Sequence, residues 1–598
     1  MPVRMKPRRY GLAILILLLA TFLRLYHLDF RALWLDEGLS LLFARLDLVS
    51  NAQMAVKLAD TNPPLYRLLL GAWLDAVGWS AFTARLFSAL PGVILVAVVY
   101  RLARDLKLPR QVALTAMALC AASPMLIYYS QEAKGYSLVA MAATASVVLW
   151  LKLLLHAHTP THKYGGVGVW GLWGVSLLLA TGSHYIAAFL VALENVWMVM
   201  LIASNGWSNG KADKRPTASA FPFPIRWKLA VEHSARHWAP LIGTQLLVAA
   251  FLLPFILLTY GGTSAAVRGE TGEFQGLNGP LQFFSRHAVE LTQGPEASGV
   301  WAEAVAVAVL FLVCVGVWGY GREKLKVGVW SLEFGIWILL SWIIVPIALG
   351  FALNSYHQFF FPRFVLYTVP PLMILAANGV WHIAYGIWRM ADSQSYFANS
   401  RKLLGRFGVW LLGFGIWILG FGIFWTPTLL THYTTPSDPA EDWRPVADVM
   451  RSLVRAGDAA IYGWGWMPGY LDAYVPRAPR PDYTLGFFTP ESLDADMSAI
   501  TFGKPRVWLF DYHIDQFDAR NMAGRWLAAR SALVYDEWIG TAHVALFALT
   551  PTPTDSTSQF TFEFVNGLQL TAPEVQTTLS PGDTLTVCVS DYEGSDYC

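Results

Sequence analysis

AFTARLFSALPGVILVAVVYRLA, residues 81–103, is apolar over most of its length, with arginines only near its two ends, at Arg85 and Arg101. A run of this kind matches the roughly 20 residues needed to cross the hydrocarbon core of a bilayer. Similar runs recur on both sides of it, near 10–27, 111–128, 135–154, 166–182, 184–203, 238–260, 300–320, 330–351, 364–388 and 407–427. The chain of 598 residues is 55% hydrophobic and only 14% charged, with a mean hydropathy of +0.43. A soluble domain carries roughly a quarter charged residues. The predicted class is therefore a polytopic α-helical membrane protein with about eleven transmembrane helices. A net charge of +2 leaves no basic face for nucleic acid.

The N-terminus resembles a signal peptide, because basic Met1–Arg9 precedes an apolar run from Tyr10 to Tyr26. No small-residue cleavage site follows, so an uncleaved first span is expected. Loop charges set the sides. One set of loops carries Arg4, Lys6, Arg8 and Arg9, then Arg101, Arg104, Lys107 and Arg110, and later Arg322, Lys324, Lys326, Arg401, Lys402 and Arg406. Loops of opposite parity hold far fewer, and short basic loops stay in the cytoplasm. An odd number of spans then puts the N-terminus inside and everything beyond about residue 430 outside. A multi-pass protein of the plasma membrane is expected, and a prokaryotic one suits the sparse cysteines. Cys120 and Cys314 fall in spans as apolar filler, while Cys588 and Cys598 would be able to pair if the C-terminus is extracellular.

Three domains are expected: a transmembrane domain at 1–430, an extracytoplasmic α/β domain at 431–552 and a β-prone tail at 553–598. The long outer segment 28–80 holds apolar stretches at 38–49 and 65–78 that suit interfacial helices, with 63–79 alternatively a re-entrant hairpin. Pro63-Pro64 marks the start of the second. After Pro436, Val446, Val449, Met450 and Leu453 repeat with helical spacing and Gly457 stops the pattern. Ala459–Tyr462, Val507–Phe510 and Val544–Leu549 read as short strands.

Polar residues at the membrane boundary mark function by default. Asp36 and Glu37 follow the first span; adjacent carboxylates sharing a site would repel, which suits one of them to accept a proton. The alternative is an ordinary acidic first turn of a helix. Asp60 and Asn62 close the same outer segment as pocket residues or as helix caps. Glu132, Lys134 and Tyr136 lie in the short link between the third and fourth spans, where a lysine can meet a lipid phosphate; the alternative is that Glu132 and Lys134 are solvated loop charges, or Glu132 a cap. His184 and Tyr185 open the sixth span, as pocket residues or interfacial anchors. Arg363 opens the tenth, to bind phosphate or to snorkel to the headgroups. All these clusters fall on the face that charge counting calls outer.

In Leu33-Trp34-Leu35-Asp36-Glu37, Asp60-Thr61-Asn62-Pro63-Pro64-Leu65-Tyr66, Ala84-Arg85-Leu86-Phe87-Ser88-Ala89-Leu90-Pro91-Gly92, Tyr129-Ser130-Gln131-Glu132-Ala133-Lys134-Gly135-Tyr136, Ser183-His184-Tyr185 and Pro362-Arg363-Phe364, the sequence resembles the GT-C superfamily. The likeness is to bacterial members of glycosyltransferase family 39 type, related to protein O-mannosyltransferases and aminoarabinose transferases, and covers most of residues 10–550. Relatives often carry His at the position of Asn62 and Arg at that of Lys134. The resemblance implies a GT-C fold and transfer of a sugar from a polyprenyl-phosphate-linked donor to a glycan, lipid or protein acceptor of the cell envelope. Asp36 would be the general base, with Glu37 orienting or sharing that role. Lys134 and Arg363 would neutralise the departing phosphate, Arg85 would orient a carboxylate or the phosphate or else snorkel at the start of its span, and Asp60, Asn62, Glu132, Tyr136, His184 and Tyr185 would line the pocket. Some relatives use a divalent metal; no ligand set is evident, so no cofactor is expected. A transporter or flippase of lipid-linked sugars is the alternative, which would call for internal repeats and polar residues near mid-bilayer; neither is evident. A silent membrane scaffold would leave the acids and bases without a purpose.

Overall fold

The structure, a computed structural model, describes residues 10–57, 62–156, 166–212, 241–258, 279–322, 326–327, 330–354, 360–393, 415, 422, 424–475, 491–512 and 521–549, with short strand pieces at 561–563, 569–571, 589–590 and 596–597. The chain divides into two compact units, Met1–Leu453 with Trp464–Ala478, and Val454–Gly463 with Pro479–Cys598. The expected boundary near residue 430 thus falls inside the first unit. Asp60, Cys588, Cys598 and most of the 407–427 span and of the tail lie outside the described residues.

The first unit runs α1 (Gly11–Leu25), α2 (Leu35–Ala44), α3 (Leu48–Lys57), α4 (Leu65–Val77), α5 (Ala81–Asp105), α6 (Arg110–Ala122), α7 (Pro124–Tyr128), α8 (Tyr136–His156), α9 (Gly166–Ser183), α10 (Ala188–Ala212), α11 (Leu241–Leu258), α12 (Pro280–Gln293), α13 (Gly299–Arg322), α14 (Leu332–Asn354), α15 (Val369–Ser393), α16 (424–434), α17 (Arg444–Leu453) and α18 (Met467–Tyr474). Among the described residues, α5, α8, α11, α13, α14 and the segment Pro362–Ile387 are long and apolar enough to cross a membrane, and α1, α6, α9 and α10 are shorter apolar helices. This is a multi-pass membrane protein. In lipid the hydrophobic effect does not press helices together, so close packing must. At the crossing of α13 and α15, a Cβ on Gly316 would meet the Leu375 carbonyl oxygen at 2.0 Å, and one on Gly379 would meet that of Leu312 at 2.0 Å. Asn378 donates to the Gly316 carbonyl across the same contact, at 2.8 Å.

The expected span 111–128 is broken. Pro124 has no N–H to donate, so α6 stops at Ala122 and α7 restarts at Pro124, with Ser123 Oγ capping the Leu126 amide. The break frees backbone carbonyls within apolar surroundings, and Arg24 of α1 takes them up: its guanidinium donates to Ala121 O at 3.0 Å and Cys120 O at 3.1 Å. Arg24 is fully buried. Another buried polar group lies inside the helices: Glu194 of α10 accepts from Ser146 Oγ of α8 at 2.5 Å and Trp173 Nε1 of α9 at 3.2 Å. The expectation that no such residue sits among the spans is therefore corrected, and its two oxygens are satisfied as burial requires.

The segment 28–80, expected outside, forms three helices among its described residues rather than the two expected stretches. The run 38–49 is cut at Asp47, whose carboxylate accepts the amides of Val49 and Ser50 and so caps α3. α4 follows Pro64 as its start signal predicts. Against α2 lies α18, so close that a Cβ on Gly469 would sit 1.9 Å from the Gly38 carbonyl oxygen. Tyr474 OH accepts the Leu33 amide at 2.8 Å, and Arg45 pairs with Asp472. Gly469→Ala should force these helices apart at a cost of about 1–3 kcal/mol, the usual range for overpacking. Thermal unfolding in detergent checks this, and an unchanged midpoint would remove the close approach from the account.

The second unit carries a four-stranded sheet in the order 459–462, 506–512, 542–549, 531–539, with the first pair parallel and the others antiparallel. The three strands expected from apolar runs are all present. Helices Leu493–Thr501 and Met522–Ala528 supply Met497, Ile500, Ala523 and Leu527 to a core with Ile461, Val507, Leu509 and Phe547. Asp458 accepts from Arg506 Nε at 2.9 Å and Trp508 Nε1 at 3.0 Å, which closes the lower edge of the parallel pair. Beyond it, Thr561–Glu563 pairs antiparallel with Gln569–Thr571.

Candidate active site

The two adjacent acids at the start of α2 part company. Successive residues on a helix do not face each other, and here Glu37 turns inward while Asp36 stays at the surface. Glu37 is fully buried. It accepts from Arg85 Nε at 2.8 Å and Nη2 at 2.6 Å, from the Ala133 amide at 2.8 Å and from the Trp34 amide at 3.3 Å. The last contact is the reaching-back half of a capping box. Arg85 donates its remaining N–H groups to the carbonyls of Leu28 at 3.1 Å, Arg31 at 2.8 Å and Ala32 at 3.0 Å. A guanidinium has five N–H groups, and all five are occupied. Arg85 thus orients a carboxylate, that of Glu37, and has no donor left for a phosphate.

This node ties the exit of α1, the start of α2, the body of α5 and the loop 129–135 together. The loop has a second anchor. Ser88 Oγ donates to the Lys134 carbonyl at 3.0 Å, and since a carbonyl can only accept, the Tyr66 hydroxyl must donate to Ser88 at 2.8 Å.

The result is a cluster around Asp36. Its carboxylate, 21% exposed, lies 3.6 Å from Lys134 Nζ and 4.0 Å from Arg363 Nη2. Both distances are longer than direct hydrogen bonds, so the three groups face a common space without closing on each other. Arg363 does not snorkel: its guanidinium lies 4.6 Å from the Phe361 ring, 5.7 Å from Phe364 and 5.8 Å from Trp34. Its Nε is buried without a hydrogen-bond partner among the described residues. The arginine stands at the head of a 3₁₀ stretch, Pro362–Thr368, ahead of α15, where one continuous span had been expected.

Glu132 is buried, and its Oε2 has no hydrogen-bond partner among the described residues. Burial first, and then the neighbouring Glu37, push its carboxyl up to about 8 against the pull of Arg363. It therefore holds its proton at neutral pH. A carboxyl raised in the folded state gives stability that is full below about 4.5 and is lost as pH rises through about 8. Glu132→Gln should accordingly unfold at a higher temperature than wild type at pH 8, with the difference vanishing toward pH 4.5. Parallel melting curves across that range test this, and a constant offset would contradict it.

Of the other expected pocket residues, Tyr136 and His184 join the cluster through Phe364, with ring centroids 6.5 Å and 4.8 Å from it. Tyr185 instead packs with Phe43, Ala52, Ala55 and Phe255. Asn62 is half-buried ahead of α4. Sequence reading overlooked α12, whose buried face carries Phe283, His287, Glu290 and Leu291 at helical spacing. It also overlooked Glu296, which pairs with Arg31 and faces His432 Nδ1 of α16 at 3.5 Å. Burial raises the Glu296 carboxyl, but His432 and Arg31 outweigh it and hold it below its usual range. Among the described residues, no group of three or more His, Cys, Asp or Glu side chains is placed to hold a metal ion.

Residues 53–258 match the family model described as dolichyl-phosphate-mannose-protein mannosyltransferase. The match includes Arg85, Glu132 and Lys134 and lies between Asp36 and Arg363. The chain superposes on a crystal structure of ArnT from Cupriavidus metallidurans bound to undecaprenyl phosphate with a TM-score of 0.52 at 15% identity, covering 91% of this chain and 99% of that one. It has a GT-C fold. Over residues 53–258 it is similar to the mannosyltransferase family. The apo state of the same ArnT gives this GT-C chain a TM-score of 0.52 at 14% identity, covering 90% and 98%. An Archaeoglobus fulgidus oligosaccharyltransferase tethered with an acceptor peptide gives 0.48 at 12% identity, covering 91% of this chain and 74% of that one. No curated protein matches the GT-C chain significantly in sequence.

Proposed function

We propose that this chain transfers a sugar from a polyprenyl-phosphate-linked donor to a glycan, lipid or protein acceptor of the cell envelope, at the outer face of the membrane. The observation that carries the reading is the Asp36 carboxylate held part-exposed between two cations, 3.6 Å from Lys134 Nζ and 4.0 Å from Arg363 Nη2. A base beside two cations suits a reaction in which a proton is taken from one partner while an anion departs from the other.

In that reaction the acceptor oxygen or nitrogen forms a bond to the sugar's anomeric carbon as the bond from that carbon to the phosphate oxygen breaks, with inversion. Asp36 takes the acceptor's proton. The polyprenyl phosphate leaves with an additional negative charge, and Lys134 and Arg363 are placed to meet it. Charge stabilisation aimed at where charge develops is the most effective aid available to such a step. Glu37 and Arg85 act as scaffold, since their hydrogen bonds are taken up in positioning α2 and the 129–135 loop. Similarity to an ArnT structure bound to undecaprenyl phosphate supports a lipid-linked donor.

Mass spectrometry of envelope glycans and lipids tests the proposal in a deletion strain complemented with wild type or Asp36→Asn. A glycan lost on deletion should return with wild type and not with the variant. Full complementation by Asp36→Asn would end the assignment of Asp36 as base.

A further inference from the structure

In the second unit, His543 lies on the strand 542–549, between the inner strand 506–512 and the edge strand 531–539. It stands directly opposite Asp511 on one side and Trp538 on the other. Asp536, two residues before Trp538, projects on the same face of the sheet. Four side chains from three strands therefore meet one residue pair away from the turn at Gly540-Thr541, which joins Ile539 to Ala542.

Both ring nitrogens are engaged. Nε2 donates to Asp536 Oδ1 at 2.6 Å and Nδ1 to Asp511 Oδ2 at 3.3 Å, and the Trp538 ring stacks on the imidazole with centroids 4.8 Å apart. A neutral imidazole has one N–H and one lone pair. With a carboxylate at each nitrogen, that lone pair would point at a negative oxygen, so the arrangement calls for the imidazolium. Among the described residues His543 bonds to no helix. The helix charge Asp494 is taken up by Trp526 and Arg530, beside Ser531 at the other end of the edge strand. The bond to Asp511, with that to Asp536 behind it, outweighs burial and holds the imidazole above its ordinary value of 6.5.

The strand being held is the one that most needs it. Ser531–Ile539 has a neighbour in the sheet on one side only, and such an edge carries unpaired backbone groups. Its register against 542–549 shifts between Leu533 and Tyr535, and an irregularity of this kind interrupts the ladder. The shift divides the strand into 531–533 and 535–539, and the imidazolium braces the second part alone.

We propose that His543 is a proton-operated brace: as the imidazolium it ties Asp536 of the edge strand to Asp511 of the inner strand across the strand between them, and on losing its proton it releases residues 535–539. A histidine raised in the folded state gives stability that is complete below about 6.5 and is lost as pH rises through the folded value. The hairpin end is therefore tight in neutral surroundings and opens in alkaline ones. The inference concerns the second unit alone and goes beyond the sugar-transfer reading without drawing on it.

Hydrogen exchange read by mass spectrometry tests it on the full-length protein in nanodiscs, at about pH 6 and about pH 9, with exchange times rescaled for the intrinsic rate. Protection of 535–539 in wild type should fall by about fivefold or more at the higher pH, the scale of losing one charge-assisted hydrogen bond, while 531–533 and 506–510 keep theirs. His543→Gln should show the weaker protection at both pH values, and His543→Arg, a cation throughout, should show no fall. Equal protection of 535–539 in wild type at the two pH values overturns the proposal, as does a fall that survives in His543→Gln. The wild-type comparison carries its own control in 531–533, so it decides the matter even where a variant fails to fold.

Discussion

Arg85→Leu should destabilise the protein by about 3–5 kcal/mol, the cost of leaving a buried ion without its partner. Glu37 would keep a charge in a fully enclosed position with only the amides of Ala133 and Trp34 to meet it. The carbonyls of Leu28, Arg31 and Ala32 would lose their donor at the same time. Arg85→Lys should rescue little, because one ammonium cannot span acceptors arranged around a planar fork. The loop that presents Lys134 hangs from this node, so loss of activity should accompany loss of fold. Thermal unfolding in detergent measures it, and a double replacement, Glu37→Leu with Arg85→Leu, should cost less than the sum of the single changes. Additive costs would show that the two side chains do not act as one unit.

Asp36→Asn should behave in the opposite way, with a folded protein that does not turn over. The side chain is part-exposed and makes no direct hydrogen bond to Lys134 or Arg363, so an amide of the same shape costs little stability. An amide cannot accept the acceptor's proton, and loss of a positioned base typically lowers kcat by about 10²–10⁴-fold. The charge change adds a second signature. Removing a negative charge 3.6 Å from Lys134 Nζ should leave the two cations more attractive to an anion. The variant should therefore bind undecaprenyl phosphate at least as tightly as wild type while turning over far more slowly. Weaker carrier binding in Asp36→Asn would place Asp36 in the binding geometry rather than in proton transfer.

The difference between these two neighbours shows how far the sequence could be read. Adjacent carboxylates suggested a mutually repelling pair, whereas their roles depend on which way a helix turns at its first residue. Glu37 stands three residues after Trp34, the spacing of a capping box, but tryptophan is not a capping residue and hid the signal. Its main partner, Arg85, lies far along the chain, and nothing local links them. Span lengths, by contrast, follow from bilayer thickness and were legible wherever apolar runs were continuous. They failed at Ser123-Pro124, where the run stays apolar across a backbone break. α12 was missed for a related reason: its apolar residues occupy one face, so no window of it reads as a span. The Glu296–His432 contact joins segments that only tertiary structure brings together.

Arg24 carries a consequence for biogenesis. The interruption between α6 and α7 would strand the carbonyls of Cys120 and Ala121 in hydrocarbon, which bilayers do not tolerate. The group that satisfies them belongs to α1, which is synthesised before α6 and α7. That helix therefore waits in the membrane as a lateral partner for a later hairpin. Any processing event or fusion that detached it would deprive the third membrane segment of its only donor from another helix at that break among the described residues.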